Sequence, residues 1–290
     1  MQAIFSKVFL TVIAVCSILW PSFGRGETAD RILRLRDSRV LRLEEIAEDL
    51  LSATYVFVGE IHSKKEHHRF QLAVIRTLSE SGRPLTIGLE MIEAGNQATL
   101  DGWIGGDMDE RDFARFFEDH WPAAWILYRD IFLFARENRI PMIGLNVPDE
   151  ITAQVAREGF YSLSREQLAR LPGVSCVIDD DYRRLMGAAL EMHGKGFTDN
   201  GDFNRFCEAQ MVWDTTMAQR LLDYASEAED RLLLVLAGNT HAWKHGIPEQ
   251  MRRRLDNTVF RVILPEIPGF QTRIGIRPER TDYLWLVRGY

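Results

Sequence analysis

Glu60, His62, Glu90, Asn146 and His241 each follow a short apolar run, and their side chains are the kinds that move protons or hold cations. Tyr55-Val-Phe-Val58 runs into Gly59-Glu60-Ile61-His62. Leu85-Thr-Ile-Gly-Leu89 runs into Glu90, Met142-Ile-Gly-Leu145 into Asn146, and Leu232-Leu-Leu-Val-Leu-Ala237 into Gly238-Asn239-Thr240-His241. Continuous apolar runs of this length, bounded by polar residues and glycine, read as parallel strands buried on both faces. In open α/β sheets the ligand crevice lies beyond the carboxyl ends of the strands. The five residues are therefore expected to converge on one sheet edge. Two imidazoles, two carboxylates and an amide in one place suit a metal site or an acid–base site.

Glu60 and His62 are two residues apart, and on extended backbone such residues point to the same side. In the metal version His62 and His241 hold the ion together with one carboxylate, and the other of the two candidate catalytic carboxylates, Glu60 or Glu90, activates water. The competing reading of Glu60-Ile61-His62 is a helix start with incidental polar residues. Asn146 serves equally as a ligand contact or as the cap of a helix over 149–158. Gln210 and Asp214 are one turn apart on a long helix, inside an apolar stripe. They are candidates either to orient a site histidine from behind or to bond neighbouring backbone. His67 and His68 belong to a helix over 66–80 whose inward face is Phe70, Ala73, Val74, Thr77 and Leu78; both are expected on a solvated face, with a ligand role for either as the alternative. Trp121, Trp125 and Tyr128 read as core, while the phenols of Tyr128 and Tyr161 are also candidate iron ligands, since a phenolate can hold haem iron.

The elements that must position these groups alternate as helix, strand, helix, strand, the rhythm of a parallel sheet. A helix is expected over 43–52, and helical segments over 95–138 with a break at His120-Trp121-Pro122. Asp109 is placed to cap the segment through Phe117, and a helix over 180–192 can start at the acidic run 179–181. Residues 149–230 carry no strand pattern, and Asn200–Glu229 is one long helix or two abutting ones. The expected fold is α/β: a central, mainly parallel sheet flanked by helices, with a helical layer or lid over the strand C-terminal ends. Strands over 258–264 and 283–287 are expected to pair as an antiparallel hairpin across a proline-bearing turn. Residues 25–41 read as a charged surface lead-in.

A chain of 290 residues with 46% apolar and 27% charged residues is an ordinary globular protein. A formal charge of −7 excludes a general nucleic-acid binder, which needs a basic face. Lys7, the apolar run Val8–Trp20 and the small residues around Phe23 form a signal-peptide pattern, too short for a confident membrane span. The expected division is a signal peptide over 1–24 and one domain over 25–290 with a helical insertion over about 149–230. This makes the protein exported, periplasmic or membrane-associated through its N-terminal segment; an uncleaved anchor and lipidation at Cys16 are the alternatives. After cleavage Cys176 and Cys207 remain, to pair with each other or to fill apolar space.

Several segments in order resemble the ChaN-like haem-binding uptake family, within the Tiki/erythromycin-esterase-like superfamily: Val58-Gly59-Glu60-Ile61-His62, Gly88-Leu89-Glu90-Met91, Leu145-Asn146-Val147-Pro148, Asp214-x-x-Met217-Ala218, Ala237-Gly238-Asn239-Thr240-His241-Ala242 and Gly246-Ile247-Pro248. The resemblance spans about residues 40–265. It implies an α/β fold, an exported bacterial protein and a link to haem or iron uptake. The wider superfamily also holds metal-dependent proteases and macrolide esterases, which use the Glu, His and Gly-x-x-His positions for catalysis; carried over, these are Glu60, His62, Glu90 and His241. No motif marks a haem-ligating residue. Two functions stay open. One is a haem or iron-binding uptake protein without turnover, taking haem or a small molecule as partner. The other is a hydrolase using a divalent metal and a Glu/His cluster.

Overall fold

The computed structural model describes residues 30–171, 173–192, 200–228, 230–269 and 275–287; the proposed signal segment and Cys16 lie outside the described residues. In chain order the elements are β1 (Arg31–Arg34), β2 (Arg39–Leu41), α1 (Leu43–Leu51), β3 (Tyr55–Glu60), α2 (Lys65–Ser79), β4 (Leu85–Glu93), α3 (Gln97–Gly105), α4 (Glu110–His120), α5 (Trp125–Glu137) and β5 (Met142–Asn146). Then come α6 (Asp149–Glu158), α7 (Arg165–Ala169), α8 (Asp180–Met192), α9 (Asn200–Glu227), β6 (Leu232–Gly238), α10 (Asn239–Ala242), α11 (Ile247–Arg252), β7 (Phe260–Pro265) and β8 (Tyr283–Leu286).

Among the described residues one sheet runs in the order β2-β1-β8-β7-β3-β6-β4-β5. Every neighbouring pair from β8 to β5 is parallel, and β1 pairs antiparallel with both β2 and β8. The carboxyl ends of β3, β6, β4 and β5 therefore lie side by side.

The central strands are apolar throughout because both faces are covered. Val56 and Val58 of β3, with Leu232, Leu234 and Leu236 of β6, pack into one core with residues of α1, α2, α3, α4 and α5. The alternate residues Tyr55, Phe57, Leu233, Val235 and Ala237 pack into a second core with residues of α8, α9, α10 and α11. This is the period-two split of a strand between two buried layers. In the first layer Trp103, Phe113, Phe117, Trp125 and Phe132 form an aromatic cluster, and Trp103 donates to the Phe132 carbonyl (3.0 Å). Asp109 caps α4 by accepting from the Asp112 N–H (2.9 Å), and Asp179 caps α8 by accepting from the Tyr182 N–H (2.8 Å).

The mainly parallel sheet with a helical layer is as the sequence implies, and α9 is a single helix. Three expectations are corrected. The charged lead-in is not merely surface: it forms the β1–β2 hairpin, with Ile32 fully buried and β1 paired along β8. β7 and β8 are parallel rather than a hairpin, in register Ile263↔Tyr283. The prolines mark a crossover rather than a turn, and segment 266–282 is long enough for one. His67 and His68 are buried, at 1% and 2% exposure, not solvated. Cys176 and Cys207 are free thiols; burial pushes Cys176 up to about 12 and Cys207 up to about 11.

Candidate functional site at the strand ends

The end of β3 turns directly into α2, and two histidines of α2 hold that turn. His67 Nδ1 accepts from the Ile61 N–H (2.9 Å), while His68 Nε2 donates to the His62 carbonyl (2.9 Å). Between them lies Glu60, at 1% exposure. Its Oε1 accepts from the Tyr128 hydroxyl of α5 (2.5 Å) and from His62 Nδ1 (2.7 Å). Its Oε2 lies 3.1 Å from His68 Nδ1. The i, i+2 geometry expected of Glu60 and His62 is thus present.

Glu60 is an ionised, structural anion in this arrangement. Burial favours its neutral form, yet His62 and His68 outweigh burial and hold it well below the usual carboxylate range. His68 is its counter-ion. Gln71 Nε2 donates to the Val58 carbonyl (3.2 Å), which leaves Gln71 Oε1 facing His68 Nδ1 (3.2 Å). Both ring nitrogens of His68 therefore face only oxygen acceptors, which an imidazolium satisfies and a neutral ring does not. Burial pushes His68 down, but its contacts with Glu60 raise it above its ordinary value. His67, in contrast, is driven down by burial to about 4 and stays neutral.

A second relay stands on the other side. His241 of α10 hydrogen-bonds through Nδ1 to Asp214 Oδ1 of α9 (2.6 Å), and Tyr182 of α8 donates to Asp214 Oδ2 (2.8 Å). Burial lowers His241, but Glu90 and Asp214 outweigh it and raise it to about 9. Asp214, fully buried, is raised by burial. The pair holds its proton jointly.

Glu90 lies between the relays. The Gly238 N–H donates to its Oε2, and His241 Nε2 stands 3.6 Å from its Oε1. A Cβ at Gly238 would sit 3.3 Å from His62 Nε2 and 3.4 Å from Glu90 Oε2, so glycine here leaves room for both groups. Each imidazole thus has Nδ1 fixed on a carboxylate and leaves Nε2 for the crevice. His62 is the open member: its side chain is 39% exposed and stands edge-on to Trp121, with ring centroids 4.9 Å apart.

The structure brings Glu60, His62, Glu90, Asp214 and His241 together. Asn146 is adjacent, donating through Nδ2 to the Glu90 carbonyl (2.8 Å) and accepting from the Val147 N–H (2.8 Å). It supports the strand end and does not cap α6, whose cap is Pro148. Gln210 lies one turn before Asp214, half-buried, and among the described residues no hydrogen bond joins it to either histidine. Tyr128 is not open as an iron ligand, because it is fully buried with its hydroxyl on Glu60. Tyr161 stands 96% exposed in a 3-10 turn after α6. A metal centre is not supported: no group of three His, Cys, Asp or Glu among the described residues is placed to hold an ion. The carboxylates of Glu60 and Asp214 and both Nδ1 atoms are already committed to one another. Sequence reasoning missed Tyr182 and the burial of His67 and His68. For His68 a signal existed: His68, Gln71, Ile75 and Leu78 follow the 3-4 spacing of a buried helical stripe.

Fold and site together define an α/β protein with a buried polar cluster at the carboxyl edge of a parallel sheet. The chain belongs to the haem-binding uptake family of the Tiki superfamily, ChaN, whose model matches residues 46–251. Among solved structures it is similar to the ChaN of Campylobacter jejuni, described for cofacial haem binding, with a TM-score of 0.73 and 18% identity over 91% of this chain and 98% of that one. An erythromycin esterase in its open conformation is a more distant neighbour, with a TM-score of 0.46 and 16% identity over 76% of this chain and 72% of that one. No curated protein matches the sequence.

Proposed function

We propose that this protein binds haem and serves haem or iron uptake after export. The observation that carries this reading is the family match across residues 46–251, which contains the whole strand-end cluster. The export half rests on the leader pattern of residues 1–24; among the described residues no helix is long and apolar enough to cross a membrane.

Of the candidate donors among the described residues, the imidazoles suit haem iron better than the phenols of Tyr128 and Tyr161. Tyr128 is sealed, and Tyr161 has no cover on its exposed ring. His62, backed by Glu60, and the half-buried His245 both offer ring nitrogens of the kind that haem iron accepts. Bound haem would supply iron for transport; the chain's own part is to orient an imidazole, pair the propionates and cover the apolar macrocycle. Titration of hemin into the purified protein tests this reading. A saturable Soret change is expected, and no change beyond that of hemin alone refutes it.

A second reading is favoured by one specific observation: two imidazoles, each fixed at Nδ1 on a buried carboxylate, face one carboxylate, Glu90. This arrangement suits proton transfer in ester or amide hydrolysis. In it Glu90 and His241 exchange the proton, His62 faces the substrate, and Glu60 and Asp214 only orient. Turnover of a panel of activated esters that falls with Glu90→Gln supports it; equal rates in parent and variant refute it.

A further inference from the structure

A cavity of about 570 Å³ lies between α8 and the 243–245 segment, within the size range of small-molecule sites. Among the described residues, none of the strand-end cluster lines it. One face of α8 forms a wall: Asp181, Arg184, Leu185, Ala188 and Glu191 recur at helical spacing. Trp243, His245 and Arg280 also line it.

The α8 wall carries opposite charges at its two ends. Arg184 is bonded to Asp181. Arg280 makes no ion pair among the described residues; it donates to the Gly275 carbonyl (3.0 Å), and its guanidinium stands 5.9 Å from the Trp243 ring centroid. Burial and the nearby charges of Arg277 and Arg184 lower Arg280, against the opposite pull of Asp181 and Glu279. Guanidiniums thus outnumber carboxylates at this end, and an arriving carboxylate would relieve the repulsion. Glu191 follows Arg184 by two helical turns on the same face, about 10 Å along the axis, and gives the far end the opposite sign. Leu185 and Ala188 lie between, and Trp243 adds a buried aromatic surface. At Asp181 and His245 the cavity adjoins a smaller one of about 180 Å³. Gln250 lines that one at 1% exposure, and its Nε2 has no acceptor among the described residues. A buried N–H left unmet marks a place for an oxygen.

We propose that this cavity binds a short peptide with free termini, its carboxylate on Arg280, an apolar side chain against Trp243 and Leu185, and its ammonium toward Glu191. An extended chain of about three residues spans at most about 10 Å, which matches the separation of the two charged ends. A guanidinium is the side chain best shaped to receive a carboxylate, and Arg280 has none. Gln250 belongs to the carboxylate end, where its N–H meets a further oxygen of the same ligand. A lining of mixed sign also rejects other ligands. A fatty acid would lay its tail against Glu191, and a dianion would meet Asp181 and Glu191. The proposal is independent of both readings of the strand-end cluster.

The test titrates the full chain by calorimetry with the tripeptide Ala-Leu-Ala, its C-terminal amide and its N-acetyl form. The free peptide is expected to saturate, and blocking either terminus to weaken it about tenfold. Arg280→Gln should weaken the free peptide about tenfold and abolish the difference between acid and amide, while keeping the difference between amine and acetyl form. Glu191→Gln should do the reverse. Ala188→Trp fills the cavity and should remove binding of all three. Circular dichroism and thermal melting confirm that each variant is folded; if Ala188→Trp is not, the two charge variants still decide. A parent that does not saturate overturns the proposal. So does equal affinity for acid and amide, or a preference for the acid that survives Arg280→Gln.

Discussion

The most consequential single residue is Glu60, because a buried carboxylate is tolerable only with its partners in place. Removing one member of a buried ion pair leaves the other charge uncompensated and costs about 3–5 kcal/mol. Glu60→Gln should therefore destabilise the protein by about that much in urea denaturation. Pairing it with His68→Gln should recover part of the loss, because the orphaned imidazolium is gone too. A double variant as unstable as the sum of the two singles would disprove the ion pair. The pH dependence has a definite sign. Glu60 is depressed, so its contribution is present above the unfolded carboxylate value near about 4.3 and is lost as pH falls through the folded value. His68 is raised, so its contribution is full below about 6.5 and is lost as pH rises through its folded value. The contribution of the pair, measured as parent minus double variant, should peak between about pH 5 and 6.5. His241 gives a direct readout at the same scale. Its ring should titrate near 9 by NMR, and Asp214→Asn should bring it down. A parent ring titrating at its ordinary value would remove the second relay.

At the scale of elements, close backbone approaches fix where the strand ends lie. A Cβ at Gly144 of β5 would fall 2.6 Å from the Glu93 carbonyl oxygen of β4, at the register shift between Leu89 and Glu93 that sets Glu90 off from its neighbours. Gly144→Ala should cost about 1–3 kcal/mol, as overpacking does. It should lower the melting temperature and disturb Glu90; an unchanged melting point would show that the pair can part freely. Gly246 is the counterpart for α10, since a Cβ there would collide with the Thr240 and His241 carbonyls. How much of this was legible in the sequence follows from what kind of signal each element carries. The strands β3, β4, β5 and β6 announce themselves as unbroken apolar runs, and their polar ends placed Glu60, Glu90 and His241 in one crevice. β2 is the edge strand and β1 its neighbour, and both are short and carry arginines, so no apolar run marks them. The direction of β8 depends on the path of 266–282, which is a tertiary matter. Burial of His68 depends on Glu60 reaching it across the turn, and polar residues with buried partners look solvated when read one at a time.

At the scale of the molecule, two layers of helices cover the two faces of the sheet. The leader pattern predicts export with cleavage near Gly24. Mass spectrometry of protein from its native compartment should find a mature chain beginning near Arg25. An intact Met1 in soluble cytoplasmic protein would contradict it. The net charge of −7 makes casual attraction of anionic haem to the whole surface unfavourable, so binding must be local.

The central claim is that this chain binds haem specifically. Its most direct test is equilibrium titration of hemin against a fixed concentration of the purified full chain, with albumin as a competitor and an unrelated acidic protein of similar size as a reference. The account predicts a saturable isotherm with an apparent Kd of about 1 μM or tighter, near −8 kcal/mol, and a Soret band distinct from free hemin. Non-saturating uptake equal to that of the reference protein would contradict it.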